Sequence, residues 1–143
     1  MKSLKYILMA LFFAVMPASL ADDTSSPGQV RHLAMEYNKR MNKMLSAGST
    51  EADVDNLFAL YADDFEYNHP GMGDVYVTQN LYNNSVRNVK AGRFDGSYQQ
   101  KITNIIIGKN AAVLEWVVPG ETETQMTFIE TKGDQIWRIK EFW

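Results

Sequence analysis

The chain has 143 residues, 45% of them hydrophobic and 22% charged, with 17 acidic against 14 basic side chains, two histidines and no cysteine. That length suits one domain with one core, and the lack of cysteine excludes disulfides, thiolate zinc sites and cysteine nucleophiles. The basic residues are scattered and the formal charge is −3, which argues against nucleic acid and anionic membranes as partners, since both require clustered Lys and Arg.

At the amino terminus, Lys2 and Lys5 precede an apolar run from Tyr6 to Met16, followed by Pro17-Ala18-Ser19-Leu20-Ala21. This pattern predicts a secretory signal peptide over 1–21, with Ser19 and Ala21 at the minus-three and minus-one positions of the cleavage site. The apolar run is roughly half the ~20 residues needed to span a bilayer. The expected product is exported to the periplasm, begins at Asp22 and has no membrane segment once processed. Residues 22–27 read as a short flexible leader ending in Ser26-Pro27, a helix cap followed by Pro in the first turn. One domain is expected over 28–143.

Val30, Leu33, Ala34, Tyr37, Met41, Met44 and Leu45 repeat at helical spacing until Ala47-Gly48, which predicts a long amphipathic helix with one core face. Thr50-Glu51-Ala52-Asp53 has the form of a capping box, and Val54, Leu57, Phe58 and Tyr61 extend a second helix to Tyr61. Asp63-Asp64 then reads as a turn, after which Phe65, Tyr67 and His69 alternate with Glu66 and Asn68 as a strand. Beyond the Gly71-Met72-Gly73 corner, Val75-Tyr76-Val77 makes at most a very short strand. Thr78 caps a third helix carrying Leu81, Tyr82, Ser85, Val86 and Val89, closed by Gly92.

From Tyr98 the period changes to two. Runs at 98–107, 111–118, 123–131 and 135–142 are separated by Gly108-Lys109-Asn110, Pro119-Gly120-Glu121 and Gly133-Asp134, so four antiparallel strands follow one another. The order α-α-β-α-β-β-β-β predicts an α+β domain with helices on one sheet face.

This order, the Asp63-Asp64 to Pro70-Gly71 stretch after the second helix, and the final strand Gln135-Ile136-Trp137-Arg138-Ile139-Lys140-Glu141-Phe142-Trp143 resemble the superfamily of nuclear transport factor two, ketosteroid isomerase and SnoaL-like polyketide cyclases. The resemblance covers nearly all of 28–143. It implies a cone-shaped α+β barrel, in which a bent antiparallel sheet wraps the long first helix and leaves a pocket at its open end, and a homodimer formed through the outer sheet face. Leu60-Tyr61-Ala62-Asp63-Asp64 also resembles a ketosteroid isomerase segment whose alignment puts the counterpart of the catalytic carboxylate at Asn68 or His69, neither of them acidic. The isomerase's oxyanion-hole Tyr and Asp fall near Met41, with Tyr37 one turn away, and near Thr127. The resemblance therefore implies the isomerase's fold without its complete catalytic set.

Two residues are candidates for chemistry. His69 can exchange a proton near neutral pH from the pocket end of its strand, or it can hydrogen-bond to backbone and fix the Pro-Gly corner. Glu141 shares a face of the last strand with Trp137, Ile139 and Trp143. If that face lines the pocket, Glu141 is a buried carboxylate able to orient His69; otherwise it makes a cross-strand ion pair with Lys or Arg. Tyr37, Tyr67, Tyr82, Trp116, Thr127 and Trp143 are the candidate ligand-binding residues, although aromatic stripes also build cores. With two histidines, no H-x-x-x-H pair and no phosphate-cradling glycine loop, neither a metal nor a cofactor is expected.

Three functions follow as expectations: a domain that binds a small, largely apolar molecule; an isomerase, cyclase or dehydratase with His69 as general base; and an interaction module. The third uses the outer sheet face, where Met126 and Phe128 lie on one side of their strand and Ile129 on the other.

Overall fold

Ser26 opens the first helix by accepting the Gln29 backbone N–H at 3.3 Å, while the Gln29 side-chain oxygen accepts the Ser26 N–H at 2.8 Å. Pro27 occupies a position where the helix needs no donor. The computed structural model describes residues 24–71 and 73–142; the expected signal peptide, Met72 and Trp143 lie outside the described residues. Helix α1 runs Pro27–Met44 and buries Val30, Leu33, Ala34, Tyr37, Asn38 and Met44. Just before it, in the segment expected to be a flexible leader, Ser25 is buried and tied down. Its N–H donates to Asn110 Oδ1 at 2.8 Å, its hydroxyl donates to the Gly133 carbonyl at 2.6 Å, and Thr131 Oγ1 donates to it at 2.8 Å.

Helix α2, Glu51–Phe58, starts where Asp53 accepts the Thr50 N–H at 2.8 Å, and it buries Val54 and Leu57. It stops at Phe58, short of the expected Tyr61, because Tyr61 already belongs to strand β1, Tyr61–His69. Asp63 and Asp64 are therefore not a helix-end turn. They are exposed within β1, where its register against the last strand shifts between Tyr61 and Glu66. An irregularity of this kind bends the strand, and here Tyr61 stacks on Phe65 with ring centroids 3.9 Å apart.

Strand β2, Asp74–Val77, pairs antiparallel with β1, opposing Tyr76 to Tyr67. Helix α3, Thr78–Lys90, takes Val77 as its cap; Thr78 is instead the first helical residue, and its hydroxyl donates to the Phe65 carbonyl at 3.0 Å. Only Val89 of α3 is fully buried, so this helix lies along the outside of the others. Strands β3 (Lys101–Gly108), β4 (Ala111–Val117), β5 (Gln125–Lys132) and β6 (Gln135–Phe142) form the expected meander. The turn residues Asn110 and Gly133 have φ of 54° and 60°, a left-handed conformation suited to Asn and Gly.

The six strands make one curled, unclosed sheet in the order β2-β1-β6-β5-β4-β3. Every pair is antiparallel except β1 with β6, which is parallel. A parallel pair needs a long crossover, and everything from β2 to β5 supplies it. Ala112, Leu114 and Trp116 of β4, Ile129 of β5 and Ile139 of β6 are buried with Val30, Leu33, Ala34 and Tyr37 of α1 in one core. On the other face Met126, Phe142 and Ile106 are exposed. Among the described residues, no helix is long and apolar enough to cross a membrane.

Candidate functional site

The period of two along β6 turns Ile139 and Glu141 inward. Across the ladder Glu141 pairs with Thr127 of β5, which is also fully buried. A carboxylate taken out of water requires donors, and two neutral ones reach it from different elements. Tyr37, on the core stripe of α1, donates its hydroxyl to Glu141 Oε1 at 2.9 Å; Tyr67, on the inward side of β1, donates to Oε2 at 2.6 Å. Tyr37 is completely buried and Glu141 is 6% exposed. Hydrogen bonds to a charged acceptor are the strong kind, each contributing about 1.5–3 kcal/mol.

The same arrangement keeps the phenols protonated. Burial, followed by the charge of Glu141, holds the hydroxyls of Tyr37, Tyr61 and Tyr67 well above the ordinary tyrosine range. The cluster is thus one carboxylate surrounded by phenols that remain donors through neutral pH.

Glu141 also lines a cavity of about 140 Å³. Its walls are Met41 and Met44 of α1, Leu57 and Phe58 of α2, Tyr61, Phe65 and Tyr67 of β1, and Leu81 and Ser85 of α3. Phe58 meets Tyr61 edge-on at 5.0 Å, so that Phe58, Tyr61 and Phe65 form a continuous aromatic wall. Phe58 and Tyr61 have a second role: with Asp63, Thr78, Gln79 and Tyr82 they line an open groove on the outer side. The two rings thus line both the groove and the cavity.

Of the residues singled out in the sequence, Glu141 and Tyr67 line the cavity, and Tyr37 reaches it through Glu141. On the opposite face of β6, Arg138 pairs with Glu66 at 3.0 Å and with Glu130 at 2.9 Å. Trp116 and Thr127 pack in the core beyond the lining, where the indole N–H donates to Thr127 Oγ1 at 2.9 Å and both residues are fully buried. Tyr82 is directed into the outer groove, edge-on to Phe58, with its hydroxyl donating to Asp55 at 2.6 Å. Trp143 lies outside the described residues.

His69 is buried, at 3% exposure, but it is not part of the cavity wall. Its ring lies against the corner glycine: a Cβ on Gly71 would stand 3.3 Å from His69 Cε1. The parallel register pairs Tyr67 with Ile139 and Asn68 with Lys140, so His69 and Glu141 follow next on the two adjacent strands. Met41, Met44, Leu57, Phe58, Tyr61, Phe65, Leu81 and Ser85 also line the cavity and were not among the candidate site residues. Ser85 left a signal, as a hydroxyl on the otherwise apolar stripe of α3. Among the described residues, no three His, Asp or Glu side chains are grouped to hold a metal ion.

No family model matches the chain, and no curated protein matches it. Solved structures do. A proposed ketosteroid isomerase from Kribbella flavida is 21% identical, with a TM-score of 0.59 over 85% of this chain and 80% of its own. A SnoaL-like protein of unknown function from Burkholderia thailandensis is 9% identical, with a TM-score of 0.60 over 82% of this chain and 97% of its own. A proposed polyketide cyclase from Sinorhizobium meliloti is 16% identical, with a TM-score of 0.57 over 82% of this chain and 100% of its own. At such identities the likeness is one of architecture: the chain has the α+β cone fold of the NTF2-like, SnoaL-like and ketosteroid isomerase-like proteins.

Proposed function

We propose that this protein is exported to the periplasm and binds a small, largely apolar molecule in the cavity that Glu141 lines. The observation that carries this reading is a hollow with apolar and aromatic walls and one buried carboxylate, already oriented by Tyr37 and Tyr67. Sites of this composition bind by apolar burial and use a few fixed polar groups for orientation. Size narrows the ligand. An apolar protein cavity of about 150 Å³ takes one benzene-sized molecule, and this one measures about 140 Å³; a four-ring steroid exceeds it. Native mass spectrometry of protein purified from its own periplasm tests the reading: a one-to-one adduct of a single-ring-sized compound supports it. A chain that carries nothing and binds no ring-sized probe contradicts it.

A second reading has one observation in its favour. The β1–β6 register brings His69 next to Glu141, the pairing in which a carboxylate orients a histidine general base. An isomerase, cyclase or dehydratase built this way would lose turnover in His69→Ala while keeping its ligand.

We also propose a homodimer through the outer sheet face. Exposed Ile106, Met126 and Phe142 lie there with Phe128, and a twofold pairing would cover them. Export predicts a mature amino terminus at Asp22, which N-terminal sequencing of the secreted form checks.

A further inference from the structure

We infer that the partner of the outer sheet face is a second copy held in one register, in which Glu115 of each copy meets Lys140 of the other. The inference rests on the homodimer reading above and names the contacts that orient it. Alternation along β4 buries Ala112, Leu114 and Trp116 and turns Glu115 outward; along β6 it buries Ile139 and Glu141 and turns Lys140 outward. Glu115 opposes Met126 and Lys140 opposes Phe128, both on β5. The two charges therefore flank β5 on either side, two residues apart along it, within a face that Ile106, Val113, Met126, Phe128 and Phe142 make largely apolar.

Other charges of this face are answered within the chain. Arg138, in the next row, holds both Glu66 and Glu130, and Lys132 pairs with Asp64. Glu115 and Lys140 differ. Both are half-buried, and among the described residues neither side chain makes an ion pair or a hydrogen bond; Lys140 Nζ stands 5.9 Å from the centre of the Phe128 ring. Covering the apolar patch would take both charges out of water, which is unfavourable unless each finds an opposite charge in the contact.

A second copy meets that requirement by symmetry. In a twofold contact, residue i of one copy lies on residue j of the other and j lies on i, so one register pairs both charges of both copies. An unrelated protein would have to bring a cation and an anion at the matching separation. The symmetry axis then passes over β5 between Met126 and Phe128, which places these two apolar side chains at the centre of the contact. Lys101, opposite Val117 at the start of the edge strand β3, is exposed and keeps its water, so it requires no partner.

Sedimentation velocity over a concentration series of the purified protein tests this, with the charge reversed on each side in turn. Glu115→Lys and Lys140→Glu each set like charges opposite one another twice, so each alone should weaken the wild-type dimer at least about 10-fold. An equimolar mixture of the two variants should recover the wild-type affinity, because each then offers the charge that the other lacks. Lys101→Glu should leave self-association unchanged. Should a reversal fail to fold, Glu115→Gln and Lys140→Gln should each weaken the dimer severalfold. Single reversals that dimerise as tightly as wild type, a mixture no tighter than its components, or an equal loss in Lys101→Glu overturn the register and leave the homodimer reading intact. A wild-type chain that stays monomeric across the series overturns both.

Discussion

Strand β6 carries two charged side chains three residues apart into opposite environments. Arg138, on the outer face, pairs with Glu66 and Glu130 and lies over the Trp137 ring at 3.9 Å. Glu141, on the inner face, is held by two phenols. Outside, charge is answered by charge in contact with water, and such pairs contribute about 0–1 kcal/mol. Inside, the carboxylate accepts hydrogen bonds from two hydroxyls beside a small, largely apolar space. The first arrangement ties strands together, and the second prepares a site.

That contrast can be broken most severely with alkali. The Tyr37, Tyr61 and Tyr67 hydroxyls are raised in the folded state by burial and by Glu141, so the stability they contribute is intact below the unfolded tyrosine pKa of about 10. It is lost as pH rises above that value, because the unfolded chain releases protons that the fold retains, at up to about 1.4 kcal/mol per pH unit for each group. Tyrosinate absorbance at pH 11 should therefore remain incomplete until denaturant is added, and urea midpoints should fall steeply above pH 10. Ionisation of every tyrosine in the native state would contradict the buried cluster.

Glu141→Ala should come next, lowering urea-unfolding stability by at least about 2 kcal/mol, since the buried Tyr37 hydroxyl and the part-buried Tyr67 hydroxyl lose their acceptor at about 1–3 kcal/mol each. Tyr37→Phe removes one donor from a carboxylate that remains buried and should cost about 1–3 kcal/mol. Arg138→Ala, its counterpart on the outer face, should stay within about 1 kcal/mol in the same measurement. An Arg138 effect equal to that of Tyr37→Phe would erase the distinction between the two faces.

How far the sequence discloses these features depends on which are local. Glu141 and Ile139 could be assigned one face by alternation, and Tyr37 belonged to the core stripe of α1 by helical spacing, because both patterns repeat within a few residues. The meeting of Tyr37 with Glu141 has no such trace: it depends on how α1 lies across β6, more than a hundred positions away. Tyr61 was hidden differently. The run Val54, Leu57, Phe58, Tyr61 keeps helical spacing into a residue that starts a strand, and the irregularity at Asp63-Asp64 interrupts the alternation that would have revealed it. The parallel β1–β6 pair also leaves no turn signal, since its crossover is most of the domain. The α+β cone was therefore legible, but the lining of its cavity was only partly so.

The most direct test of the Glu141 cavity uses the methionines as reporters on the two faces. Met41 and Met44 line the cavity, whereas Met35 is exposed on α1 and Met126 on the outer face of the sheet. In methyl NMR spectra, titration with a ring-sized ligand such as benzene should shift the Met41 and Met44 signals saturably and leave Met35 and Met126 in place. Shifts at Met126 alone, or no saturable shift at Met41 and Met44, would contradict the account.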